Sequence, residues 1–84
     1  MFEIILDEPA IEFLNKLPKE LKQRIFEKII STKENPFHFF EHLSERGGYK
    51  LRVGDYRVIA DIDQSSQKIN VTLIGHRKNI YKKA

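Results

Sequence analysis

The chain has 84 residues, which allows one small domain and leaves no room for a second at roughly 100–200 residues per domain. About 34 of the 84 are apolar, enough for one core without a deep cavity, and with no cysteine there is no disulfide framework, thiolate metal site, thiol nucleophile or redox pair. The formal charge of +3 divides unevenly, with 6 Lys and Arg against 9 Asp and Glu in residues 1–45 and 9 against 3 in residues 46–84, so the C-terminal half is suited to an anion.

Phe2 to Leu6 is short, apolar and β-branched, and reads as a strand closed by Asp7-Glu8-Pro9. Asp7 or Glu8 is expected to cap a first helix, with Pro9 in the first turn, where no amide donor is needed. Ala10, Phe13, Leu14 and Leu17 fall on one face of that helix before Pro18 ends it and opens the next. From Lys19 to about Lys33, the apolar residues Leu21, Ile25, Phe26, Ile29 and Ile30 recur at three- and four-residue spacing, which predicts an amphipathic packing helix stopped by Asn35-Pro36. Phe37-His38-Phe39-Phe40 is too short to assign and fits either core or a partner surface. After Gly47-Gly48 the hydrophobic period changes to two. Tyr49, Leu51 and Val53 alternate with Lys50 and Arg52, Gly54-Asp55 supplies a two-residue hairpin turn, and two more strands follow around Tyr56–Ile62 and Ile69–His76. The predicted fold is α+β in the order β-α-α-β-β-β, a mainly antiparallel sheet with two helices packed on one face, in a single domain over residues 1–84.

Successive strand side chains point to opposite faces, so Leu51, Val53, Val58, Ala60, Ile62, Ile69, Val71 and Leu73 form an apolar face for the helices to cover. The other face is left with Lys50, Arg52, Arg57, His76 and, at the strand end, Arg77, together with Ile59 and Ile74. With Gly54-Asp55 as the loop, Val53 pairs with Tyr56 and Arg52 stands opposite Arg57. Like charges so placed destabilise a sheet by roughly several tenths of a kcal/mol. A scaffold gains nothing from the pair, whereas a phosphate site gains the planar donor forks of two arginines. His38 and His42 are four apart but have no third ligand beside them, so structural or surface roles are expected, with no metal and no cofactor. No apolar run approaches the roughly 20 residues of a membrane span, and Met1-Phe2-Glu3 lacks the basic opening of a signal peptide, so a cytoplasmic protein without a membrane partner is expected.

The segments Tyr49-Lys50-Leu51-Arg52-Val53-Gly54-Asp55-Tyr56-Arg57-Val58-Ile59 and Gly75-His76-Arg77-Lys78-Asn79-Ile80-Tyr81, with the early Asp/Glu-Pro-Ala helix and the Leu-Pro hinge, resemble the RelE/ParE superfamily of toxins over essentially the whole chain. The retained basic set is most similar to the RelE branch. That resemblance implies a metal-independent endoribonuclease that cuts mRNA in the ribosomal A site and is held inactive by a RelB-like antitoxin. The ParE branch shares the Gly-Asp-Tyr-Arg signature and acts on DNA gyrase, which leaves a blocking module without nuclease activity as the alternative. By resemblance, Lys50 and Arg52 fall on the two basic strand positions, Arg57 on the phosphate-binding arginine, and Arg77 and Tyr81 on the C-terminal arginine and tyrosine. The sequence departs from the family where a basic residue soon follows the leucine, since Ser44 follows His42-Leu43; Arg46 is the candidate substitute, with an altered loop, and His76 and Lys78 complete the RNA-binding set that the resemblance implies. Cleavage needs a base for the 2′-hydroxyl proton, cations at the phosphate and an acid for the leaving oxygen. Lys50, repelled by two guanidinium neighbours, is the candidate base. Arg77 and His76 compete at the leaving group, Glu45 with His76 is a second acid/base pairing, and Tyr81 either stacks on a base or packs the tail.

Overall fold

The computed structural model describes residues 1–43 and 47–80. Its elements are β1 (Glu3–Leu6), α1 (Glu8–Asn15), α2 (Lys19–Ser31), α3 (Pro36–Phe39), β2 (Glu41–His42), β3 (Tyr49–Val53), β4 (Tyr56–Asp63) and β5 (Lys68–His76). They form one five-stranded sheet in the order β1-β5-β4-β3-β2, parallel between β1 and β5 and antiparallel elsewhere. The α+β class and element order match the expectation, with α3 and the two-residue β2 added before the hairpin. Among the described residues no helix is long and apolar enough to cross a membrane.

Asp7 takes the N-cap position of α1 in an extended conformation, but its side chain makes no capping bond. Its backbone carbonyl accepts from the N–H groups of Ala10 and Ile11 instead, and the acidic contribution at this end is the charge of Glu8 in the first turn. Pro18 sits at the N-cap of α2 and its carbonyl accepts from Lys22 N–H at 2.9 Å. The two helices are also tied by Lys22 Nζ donating to Asn15 Oδ1 at 2.7 Å.

Ala10 and Leu14 of α1 and Ile25 and Ile29 of α2 enter a core completed by Leu51, Val53, Val58, Ala60, Ile69, Val71 and Ile74. Burying each of the larger side chains is worth about 1.5–3 kcal/mol. The aromatic segment divides: Phe40 is buried, whereas Phe37 and Phe39 remain substantially exposed. Phe26 and Ile30, grouped with the packing face of α2 by spacing, lie toward solvent.

The hairpin has the predicted register, Val53 opposite Tyr56 and Arg52 opposite Arg57. Gly54 opens its turn at φ +59°, a conformation that glycine adopts without steric cost. The β4–β5 ladder departs from strict alternation. Ile59 pairs with Leu73 but Ala60 pairs with Val71, so Thr72 is an extra residue, a β-bulge. Parity on β5 reverses there. Ile74, opposite the buried Val58, faces the core and Leu73 joins Ile59 on the other side, the reverse of their expected places.

Candidate functional site

The face of the sheet away from the helices carries two rows of side chains set by register. Glu41, Lys50, Ile59 and Leu73 lie across β2, β3, β4 and β5, and Arg52, Arg57 and Gly75 lie across β3, β4 and β5. Opposed residues in an antiparallel pair have Cα atoms about 4.5–5.5 Å apart, so Arg52 and Arg57 stand side by side. Lys50, Arg52, Arg57 and Glu41 line a cleft of about 290 Å³.

Arg57 is the anchored member of the set, only 9% exposed. Its Nη1 donates to the carbonyls of Gly54 and Tyr56, both at 2.9 Å, which fixes the guanidinium against the hairpin turn, and among the described residues the N–H groups of Nε and Nη2 have no hydrogen-bond acceptor. Arg52, by contrast, is exposed. Among the described residues the one ion pair within 4 Å joins Arg77 Nε to Asp55 Oδ1 at 3.8 Å, so neither arginine of the cleft nor Lys50 is matched with a described carboxylate at that distance. The cleft therefore holds three cations against one carboxylate, an arrangement that favours a phosphate.

Arg77 lies at the rim rather than in the cleft. Its backbone N–H donates to Asp55 O at 2.8 Å, placing it beside the same turn, and its side chain is half exposed. The following turn brings Ile80 back over the sheet. A Cβ at Gly75 would meet Ile80 Cδ1 at 2.8 Å, and Gly75 is the cross-strand neighbour of Arg57. Ile80 is thus fully buried against the basic face, seated where glycine leaves room.

His76 requires a correction. The bulge turns it to the helix side, opposite Tyr56, where the two rings meet edge to face at 5.5 Å. Its Nδ1 accepts from Lys78 N–H at 3.2 Å. It does not share the face of Lys50, Arg52 and Arg57 as parity alone predicts. Lys78 is exposed in the turn after β5. Arg46, Glu45 and Tyr81 lie outside the described residues. His38 and His42 pack separately, His38 against Phe39 at 5.0 Å and His42 against Tyr49 at 5.2 Å. Glu41 is the cleft residue that sequence reasoning missed. A two-residue strand carries no readable period, and the charge of Glu41 opposite Lys50 emerges only from the β2–β3 register.

Comparison with known proteins agrees with this architecture. The model of the family described as ParE toxin of type II toxin-antitoxin system, parDE, matches residues 4–81. No curated protein matches the sequence. Among solved structures, the RelBE2 toxin-antitoxin complex of Mycobacterium tuberculosis contains a chain 22% identical, with a TM-score of 0.83 over 90% of this chain and 98% of that one. The intact RelBE complex of E. coli gives 18% identity and a TM-score of 0.77 over 90% and 96%. The archaeal RelE-RelB complex of Pyrococcus horikoshii OT3 gives 22% and 0.75 over 90% and 94%. At such identities the structural likeness establishes the fold, while the family match spans nearly the whole sequence. The chain belongs to the ParE toxin family of type II toxin-antitoxin systems, within the RelE/ParE superfamily.

Proposed function

We propose that this toxin is a metal-independent endoribonuclease that cuts mRNA on the ribosome and so inhibits translation. The observation that carries the reading is the opposition of Arg52 and Arg57 beside Lys50 in one cleft, without a described carboxylate within ion-pair distance. In this reading Arg52 and the fixed guanidinium of Arg57 hold the scissile phosphate and stabilise charge developing on it. Lys50 takes the proton of the 2′-hydroxyl, whose oxygen forms the new bond to phosphorus. The bond from phosphorus to the 5′ oxygen breaks, with Arg77 stabilising the leaving oxygen and water supplying its proton. Products are a cyclic phosphate and a 5′-hydroxyl end. Tyr81 stacks on a base, and Arg46 and Lys78 bind flanking RNA. His76, turned to the helix side, takes no part as the competing acid.

Purified ribosomes programmed with a defined mRNA test the reading, since cleavage creates new 5′ ends within the A-site codon. The family match favours a second reading, a toxin that blocks DNA gyrase without cutting RNA. Inhibition of supercoiling in a purified gyrase assay, with no new mRNA ends, selects it. For either target we propose a RelB-like antitoxin as partner, in line with the RelE-RelB complexes among the similar structures. The exposed Phe37 and Phe39 supply an apolar seat for it, and its carboxylates would neutralise Lys50, Arg52 and Arg57. Co-expression with the adjacent small reading frame, co-purification and a cleavage assay of the complex test this partner.

A further inference from the structure

A second groove, of about 450 Å³, lies around the sheet edge from the cleft. It is bounded by Arg24, Glu27 and Lys28 on one side of α2 and by Arg52 and Gly54 at the end of β3 and the start of the turn. Two features of the fold create it. Pairing of β2 with β3 covers Tyr49 and Lys50 and stops there, so among the described residues the rest of β3 has no strand on that side. Arg24 and Lys28 are four apart on α2 and so project from the same side of the helix. The Arg24 guanidinium lies against the turn, with Nη2 3.6 Å from the position a Cβ would take at Gly54. Lys28 Nζ stands 5.2 Å from the ring centre of Phe39. No described carboxylate lies within 4 Å of either cation, Glu27 included.

Arg52 lines both hollows. Cations therefore mark a path from Arg57 and Lys50 through Arg52 to Arg24 and Lys28, from the open face of the sheet around the edge of β3 to the side of α2, with Glu41 and Glu27 the carboxylates along it. A single bound phosphate has no use for such a path. The backbone of an extended single strand, with a phosphate at every nucleotide, does. We infer that the groove between α2 and the end of β3 is a binding track for the phosphodiester backbone of RNA continuing from the cleft, with Arg24 and Lys28 as its phosphate contacts. The inference rests on the reading of the cleft as an RNA site.

The test measures binding separately from cleavage. A short fluorescently labelled single-stranded RNA of mixed sequence is titrated with the full chain at several salt concentrations, and ribosome-dependent cleavage is assayed in parallel. Arg24→Ala with Lys28→Ala is expected to weaken RNA binding irrespective of sequence and to reduce the slope of log affinity against log salt by about 0.7 for each cation removed. Arg24→Lys, which keeps the charge, should retain the slope. Glu27→Gln, which removes the groove's carboxylate, should tighten binding, and it keeps the inference testable if the double variant fails to fold. An unchanged slope in a folded double variant refutes the track, as does wild-type protein that does not bind RNA. Loss of affinity for polyglutamate with RNA binding unaltered assigns the groove to an acidic protein and also refutes it. Wild type that shows the groove-dependent slope but never cuts mRNA refutes the ribonuclease reading and upholds the track. Cleavage with a slope that ignores both cations does the reverse.

Discussion

Replacing Arg57 by alanine tests the site and the scaffold together. The side chain is nine-tenths buried and Nη1 donates to the carbonyls of Gly54 and Tyr56, so the variant loses two hydrogen bonds from a charged donor. Each is worth about 0.5–3 kcal/mol net, and the freed carbonyls lie near a solvated turn, which places the pair toward the lower end. Relief of the repulsion with Arg52 returns roughly several tenths of a kcal/mol. The balance is a loss of about 1–2 kcal/mol, or a Tm lower by on the order of 5–10 °C in a domain of this size. The effect on chemistry is larger. Removing one preorganised donor to developing charge costs about 10²–10³ in rate. Single-turnover cleavage on programmed ribosomes, below the variant's unfolding temperature, measures that loss, and thermal denaturation measures the other. A wild-type cleavage rate in folded Arg57→Ala refutes the phosphate role, and an unchanged Tm refutes the turn-anchoring role.

Lys50→Ala should leave ribosome binding nearly intact while slowing single-turnover cleavage by about 10²–10⁴, as expected for a group that acts in the transition state; equal losses of binding and rate make Lys50 a phosphate anchor instead. Gly75→Val should drive Ile80 from its seat, because even a Cβ meets Ile80 Cδ1 at 2.8 Å. Stability should fall by about 1–3 kcal/mol and trypsin should cut more readily after Arg77 and Lys78, with unchanged proteolysis counting against the seat. Asp63, the last residue of β4, accepts hydrogen bonds from Ser65 Oγ at 2.7 Å and from the backbone N–H groups of Ser65 and Ser66 at 3.0 and 3.4 Å. These bonds, that of the Ser65 side chain first, hold its carboxyl below the ordinary carboxylate range. A depressed folded pKa gives stability that is present above the unfolded value and lost as pH falls through the folded one. The Tm gap between wild type and Asp63→Ala should therefore be open at neutral pH and narrow in acid, and a gap that widens on acidification contradicts the assignment.

The hairpin was the most legible part of the chain, for a physical reason. Gly54-Asp55 leaves a single register, and that register alone brings Arg52 opposite Arg57. Strand β5 was not legible in the same way. Val71, Leu73 and Ile74 put apolar residues at both parities, so alternation carries no information across the point where Thr72 is inserted, and His76 goes to the wrong face with Ile74. The first helices were readable from Pro9, Pro18 and the apolar stripe, yet the stripe overstated its width, because Phe26 and Ile30 flank the buried line of Ile25 and Ile29 without joining it. Glu41 and the seat of Ile80 on Gly75 depend on contacts between distant segments, which no local pattern encodes.

The turn at Gly54–Asp55 organises more than the register. Its first carbonyl accepts from Arg57. Its second accepts from the backbone of Arg77, whose side chain reaches the Asp55 carboxylate. Arg24, from α2, lies against the turn at Gly54. Three arginines from separate parts of the chain thus converge on two residues, and mutual repulsion works against their meeting. Two contributions offset it. The turn offers carbonyl oxygens and one carboxylate as acceptors, and the core on the helix side of the sheet supplies apolar burial. An anion bound in the cleft would relieve the repulsion left over. Phosphate binding should therefore stabilise the fold as well as occupy the cleft, since a ligand held by the folded chain alone shifts the folding equilibrium in its favour.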